Sequence, residues 1–259
     1  MTDSPLVLVD QPAQGVFRIA LNRPDQFNPL SREMIAALSA ALDACAEASD
    51  CRVVLLVASG KAFCAGHDLR EMRSQPDESF YKSLFAECSA MMMTIQNMPQ
   101  PVIALVNGIA TAAGCQLVGM CDLALAVPKA KFAVSGINYG LFCSTPSVSV
   151  SRAMGRKQAL EMLLTGDFID AEEAARRGLI NRVVEAEALE SEGLALAAKI
   201  VAKPAVAVSM GKALFYRQLE APIAEAYLDA EATMACNMMD DNAQEGFQAF
   251  LDKRKPEFK

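Results

Sequence analysis

The 259-residue chain has a single histidine, His67, and no tryptophan. One imidazole leaves little material for a zinc-type site built from His and Cys, so no metal is expected. Eight cysteines (Cys45, Cys51, Cys64, Cys88, Cys115, Cys121, Cys143 and Cys236) are scattered with no CxxC pair. That spacing excludes the zinc-ribbon and thioredoxin-like patterns and reads as reduced core thiols in a cytosol-like compartment. Positive charge is short, with 24 Lys+Arg against 31 Asp+Glu and a net charge of −7. Only Lys253-Arg254-Lys255 gathers cations, so nucleic acid is excluded as an expected partner. No stretch approaches the roughly 18 apolar residues of a membrane-spanning helix. The opening MTDSPLVLVDQ lacks a basic n-region and an amphipathic leader. A cytoplasmic location is therefore expected, or a mitochondrial one if a leader was removed. Nucleophile elbow, Walker loop, dinucleotide fingerprint and HExxH are also missing.

Apolar residues are abundant, at 53% against 21% charged, enough for a sizeable core in one large domain or a core with a small appendage. The N-terminal half alternates strand and helix patterns. Leu6 to Val9 and Val16 to Leu21 predict two strands separated by the turn-rich Pro12-Ala13-Gln14-Gly15. Ser31 caps a helix whose apolar positions Met34, Leu38, Ala41, Leu42 and Cys45 keep the helical period. Val53 to Val57 and Val102 to Val106 are continuous apolar runs, as strands buried on both faces require. Further helices are expected from near Leu69 and over 77–97, and further strands at Leu123 to Val127 and Lys131 to Val134. A strand–strand–helix rhythm recurs at 5–49, 53–97 and 102–120, which predicts an α/β fold with parallel crossovers. From Ser144 onward the pattern is mostly helical.

Two glycine-bearing turns follow buried strands: Ala65-Gly66-His67-Asp68 and Ala112-Ala113-Gly114-Cys115. Small residues let a ligand carbonyl approach the backbone, and free N–H groups at a helix start carry partial positive charge. Two such groups aimed at one oxygen would form an oxyanion hole. Tight packing alone would also explain both turns. His67 reads more readily as an exposed loop residue than as a base, and Asp68 as a helix cap.

Ser59 to Arg70 (SGKAFCAGHDLR), Pro101 to Asp122 (PVIALVNGIATAAGCQLVGMCD), Leu163 to Val184 (LLTGDFIDAEEAARRGLINRVV) and Leu21 to Ser31 (LNRPDQFNPLS) resemble the enoyl-CoA hydratase/isomerase (crotonase) superfamily, in order along nearly the whole chain. The resemblance implies a crotonase-like spiral of ββα turns as the body (1–197). It also implies a C-terminal helical segment (198–259) that builds homotrimers, often paired as hexamers. The implied substrate or ligand is a coenzyme A thioester, with no permanently bound cofactor. The thioester oxygen would lie between the backbone N–H groups of His67 and Ala113. The loop His67-Asp68-Leu69-Arg70 would line the ligand, with Arg70 near the CoA phosphates. Phe250 and Lys253 would reach CoA from a neighbouring subunit.

Hydratases of this superfamily use two glutamates to hold and activate water, and their positions here are occupied by Gln116 and Gly136. Gln is nearly isosteric with Glu but is no general base, and Gly has no side chain. The usual PGxGG turn is replaced by Phe142-Cys143-Ser144-Thr145-Pro146-Ser147, in a segment that resembles the subgroup called enoyl-CoA hydratase domain-containing protein 3. The expected activity is that of an enoyl-CoA hydratase/isomerase-like lyase or isomerase without efficient hydration. Its proton-transfer group would come from Asp68, His67, Cys143 or Ser144. The alternative is a non-catalytic acyl-CoA binding or regulatory pseudoenzyme. Thioester hydrolysis through Ser144 or Cys143 would need His67 beside the nucleophile.

Overall fold

The computed structural model describes residues 4–258. Strands β1 (Val7–Ala13) and β2 (Val16–Leu21) form an antiparallel hairpin, and β1 runs through the expected turn as far as Ala13. Helix α1 (Arg32–Glu47) follows, with the Ser31 side chain accepting from the Met34 N–H as an N-cap. Its buried face is Met34, Ile35, Leu38, Leu42 and Cys45. Ile35 thus joins the expected set while Ala41 is only partly covered. β3 (Val53–Ala58) and β4 (Ala62–Cys64) lead to α2 (Leu69–Ser74) and α3 (Glu78–Asn97). β5 (Val102–Val106) and β6 (Ile109–Thr111) lead to α4 (Ala113–Met120), and β7 (Leu123–Ala126) is followed by β8 (Lys131–Ala133). Then come α5 (Ser144–Ala153), α6 (Arg156–Thr165), β9 (Ile169–Asp170), α7 (Ala171–Arg177), β10 (Arg182–Val183) and α8 (Leu189–Val201).

After the β1–β2 hairpin, the pairs β3/β4, β5/β6 and β7/β8 each split between two sheets. The larger has the order β1-β2-β3-β5-β7-β10 and the smaller β4-β6-β8-β9. Every pairing from β2 to β10 in the larger sheet is parallel. Val53–Leu56 and all of β5 are buried, as helices and the second sheet cover both their faces. Successive turns of the chain therefore stack as a spiral, and the crotonase-like α/β class expected from the motifs is the class observed. Two segments left without an element by the apolar pattern carry short ones: Ser59–Asp68 contains strand β4, and 109–120 divides into β6 and α4. Strands of three residues are too short to display an alternating pattern.

Three helices complete the chain: α9 (Ala205–Leu219), α10 (Ile223–Met238) and α11 (Asp241–Leu251). Among the described residues they bury only Ala249, while Phe215, Ile223, Tyr227, Leu228 and Met234 face outward. What ties α9 to the body is polar. Lys212 Nζ donates to the carbonyls of Ile95 and Gln100 at 2.8 Å and to Asp122 Oδ2 at 2.7 Å. Asp122 also accepts from Tyr216 Oη at 2.8 Å and from the Val102 N–H at 2.7 Å. The Lys212 side chain is only 6% exposed. Burial pulls its ammonium below the ordinary lysine range, against the opposing pull of Asp122. No sequence motif announces this cluster, because its members lie 90 residues apart. Removing one partner of a buried pair leaves an uncompensated charge, so Lys212→Met is expected to cost roughly 3–5 kcal/mol in urea-unfolding free energy. A loss below about 1 kcal/mol would show the cluster to be solvated.

Candidate functional site

The two glycine turns singled out in the sequence meet in space. Gly66 has φ +91°, a backbone conformation natural to glycine. A Cβ placed on it would stand 3.0 Å from Ala112 Cβ and 3.4 Å from the Ala113 nitrogen. A Cβ on Gly114 would come within 2.1 Å of the Cys64 carbonyl oxygen, so only glycine lets α4 dock against β4. Ala112 takes φ +50° and ψ −121° at the N-cap of α4, an unusual conformation for a residue with a side chain. The first intrahelical bond runs from the Gln116 N–H to the Ala112 carbonyl at 3.0 Å. Ala113 opens the helix, so its N–H has no acceptor four residues back within the helix.

The first turn is pinned from beneath. The Leu30 N–H donates to the Gly66 carbonyl at 2.7 Å and the Ala65 N–H to the Phe27 carbonyl at 3.0 Å. Asn28, fully buried with φ +53°, donates through Nδ2 to the carbonyls of Ser59 and Ala62 at 2.9 Å and accepts from the Arg23 N–H at 2.7 Å. In the sequence Asn28 is one polar residue of the segment LNRPDQFNPLS. A polar residue in a turn predicts no particular partner, and only the fold makes it the clamp on this loop.

His67 is not an exposed loop residue. Its Nδ1 lies 3.2 Å from the Leu30 carbonyl oxygen and its ring packs 5.5 Å from that of Phe85. A carbonyl only accepts, so the neutral ring carries its proton on Nδ1 and a bare lone pair on Nε2. Nε2 is buried with no hydrogen-bond partner. Asp68 is the expected helix cap, accepting from the Arg70 and Glu71 N–H groups at the start of α2. Leu69 and Arg70 are exposed, and among the described residues Arg70 joins no ion pair.

Gln116 is buried one turn into α4, on the same face as Ala113, and its Oε1 has no partner. The hydroxyls of Thr111 and Ser135, 2.9 Å apart, tie the entry of α4 to the turn holding Gly136. The space a side chain at Gly136 would need is taken, since its Cβ would lie 2.7 Å from Cys143 Sγ and 2.7 Å from the Leu141 carbonyl oxygen. Burial pushes the Cys143 thiol up, against a smaller lowering by the Gly136 N–H. Ser144 is exposed, with Oγ 3.4 Å from the Phe142 carbonyl. Phe250 and Lys253 are exposed at the end of α11, where Phe250 lines an apolar groove with Pro204, Phe247 and Phe258. Among the described residues, no group of three or more His, Cys, Asp or Glu side chains could hold a metal ion.

A sequence model of the enoyl-CoA hydratase/isomerase family matches residues 11–259. The chain belongs to that family. Among its relatives is mouse enoyl-CoA hydratase domain-containing protein 3, mitochondrial, which is 46% identical over 242 residues, 93% of this chain and 81% of the relative. A crystal structure of enoyl-CoA hydratase from Mycobacterium smegmatis superposes with a TM-score of 0.97 at 60% identity, covering 98% of this chain and 99% of that one. That of human enoyl-CoA hydratase domain-containing protein 3 gives 0.94 at 43% identity, covering 98% and 100%. The subgroup resemblance seen in the motifs is therefore shown as well.

Within this enoyl-CoA hydratase/isomerase family member, the environment of His67 has a consequence for stability. Burial lowers its pKa below the ordinary 6.5, outweighing the Leu30 bond, which raises it. The unfolded chain then binds a proton that the folded chain refuses as pH falls below about 6.5. The stabilisation is full above 6.5 and is lost as pH falls through the folded value. His67→Asn should flatten the His67-linked part of unfolding free energy between pH 5 and 7, measured in urea. An unchanged slope would contradict a buried neutral imidazole.

Proposed function

We propose that this protein binds an acyl-CoA thioester with the carbonyl oxygen held between the backbone N–H groups of His67 and Ala113. The observation that carries the reading is the apposition of Gly66 with Ala112 and Ala113, which puts the two turns within van der Waals contact. Two fixed donors in a site shielded from water stabilise the negative charge that gathers on a thioester oxygen as an enolate forms. Because both are backbone groups, the side chains at 67 and 113 are free to differ from those of other hydratases.

Arg70, outside the loop and free of ion pairs among the described residues, is the proposed phosphate partner. Phe250 and Lys253 are proposed to reach CoA from a neighbouring copy, which requires a homotrimer or a hexamer made of two trimers. Support for assembly comes from the tail from about residue 198 onward, whose helices α9 to α11 leave a broad apolar surface uncovered. The ends of the two proposed units, residues 1–3 and 259, lie outside the described residues. Sedimentation at micromolar concentration should give a trimer or hexamer, and a monomer would remove the basis for a shared site. For location, the word mitochondrial in the vertebrate relatives' names lends no support to the cytoplasmic expectation. The proposed location is a reducing compartment, in keeping with eight cysteines that are all unpaired.

The reaction proposed is enolate chemistry of the lyase or isomerase kind with poor hydration. Neither hydratase glutamate position carries a carboxylate. Each missing acid–base group costs roughly 10²–10⁴-fold. Crotonyl-CoA hydration should therefore run orders of magnitude below an ordinary hydratase, and a robust turnover by the purified protein would overturn this. Gln116→Glu is expected to raise hydration only part of the way. Adding Gly136→Glu is no simple restoration, because Cys143 Sγ and the Leu141 carbonyl occupy the space. That filled space is also what favours the second reading, a non-catalytic acyl-CoA binding protein. Screening acyl-CoA thioesters by mass separates the two: product with any thioester favours the enzyme, and binding without product favours the binder.

A further inference from the structure

We propose that His67 Nε2 is the catalytic base of this site, removing a proton from the carbon next to the thioester carbonyl. This rests on the acyl-CoA reading above and names the group that would do its chemistry. Four groups could carry the proton, and three are engaged elsewhere. The Asp68 carboxylate is engaged as the cap of α2, where it accepts two N–H groups. Cys143 is packed against Gly136 in a setting that disfavours its thiolate. Ser144 is an exposed hydroxyl without an imidazole to activate it. His67 alone offers a neutral lone pair that is buried and has no partner.

Position supports the same assignment. The His67 N–H is one of the two donors proposed for the thioester oxygen, so its own imidazole lies within one side-chain length of that oxygen. The acyl carbons attached to the carbonyl fall within the same radius. The Leu30 carbonyl, 3.2 Å from Nδ1, fixes the tautomer that leaves Nε2 bare and then stabilises the imidazolium once Nε2 is protonated. Gln116 Oε1, the other buried acceptor without a partner on this side, lies one turn along α4 from Ala113 and can take a hydrogen bond from a polar acyl substituent.

The step balances without a further reagent. The bond between the α-carbon and its hydrogen breaks, the proton passes to Nε2, and the electron pair becomes the carbon–carbon double bond of the enolate. Negative charge on the oxygen is met by the His67 and Ala113 N–H groups. Return of the proton to the γ-carbon of a 3-enoyl thioester gives the 2-enoyl isomer and restores neutral His67.

The test uses the intact protein with 3-hexenoyl-CoA, following appearance of the conjugated 2-hexenoyl thioester by absorbance, and hexanoyl-CoA binding by calorimetry. His67→Asn keeps a donor for the Leu30 carbonyl and the backbone N–H while removing Nε2. It should bind hexanoyl-CoA within about threefold of wild type and lose isomerisation by roughly 10²–10⁴-fold. His67→Ala should behave likewise and recover part of its activity with added imidazole, an outcome that a purely structural histidine would not give. Should wild type bind hexanoyl-CoA yet convert none of the 3-enoyl thioester, or should His67→Asn convert it at the wild-type rate, the base assignment falls while the binding reading stands. No binding of hexanoyl-CoA by wild type would overturn both.

Discussion

The site rests on how closely the start of α4 can approach the end of β4. A Cβ at residue 114 would overlap the Cys64 carbonyl, so the absence of that one atom sets the distance between two turns of the spiral. Once they touch, the Gly66 turn lies against the first residues of α4, the contact on which the proposed site depends. Ala112 tolerates a positive φ there, at a cost of order 1–3 kcal/mol typical of such positions, because Gly66 and the α4 docking over-determine its conformation. Asn28 bonds the neighbouring loop at Ser59 and Ala62 and its own turn at Arg23, so one side chain holds the two segments together.

A second polar anchor does for the tail what that contact does for the site. α9 to α11 are nearly devoid of buried apolar residues within one chain, so hydrophobic burial alone would hold them weakly. Asp122 and Lys212, with Tyr216 and three backbone groups, fix α9 on the body instead. An ion pair of this kind positions more than it stabilises, because desolvation offsets much of the attraction. The apolar surface left outside is then available for assembly, which is where the proposed contribution of Phe250 and Lys253 would come from.

The chemistry of the pocket is one of scarce charge. Gln116 and Gly136 stand at the proposed glutamate positions, Cys143 fills the room at Gly136, and the His67 imidazole is held neutral by burial. In such a setting the strong elements of the proposed site are dipoles: two N–H groups for the oxygen and one lone pair for a proton. Low local polarity strengthens each of them. Addition of water needs two groups to position and activate it, whereas moving one proton along an acyl chain needs a single base.

By itself the sequence determined the family, the ββα rhythm and the two glycine turns, because those features reside in short motifs and in apolar runs readable from neighbouring residues. Ser31 and Asp68 were legible as caps for the same reason, since capping is local chemistry. Strand β4 was not, as three residues carry no period, and neither was the Asp122–Lys212–Tyr216 cluster, whose members meet only after the tail folds back. His67 shows the divide most sharply. Along the chain it is a lone histidine in a glycine loop, better suited to solvent than to catalysis. Only the packing of Leu30 and Phe85 around its ring decides its tautomer and leaves one nitrogen bare. A side chain's protonation depends on which groups surround it in space, and those come from segments 37 and 18 residues away whose arrival no local pattern records.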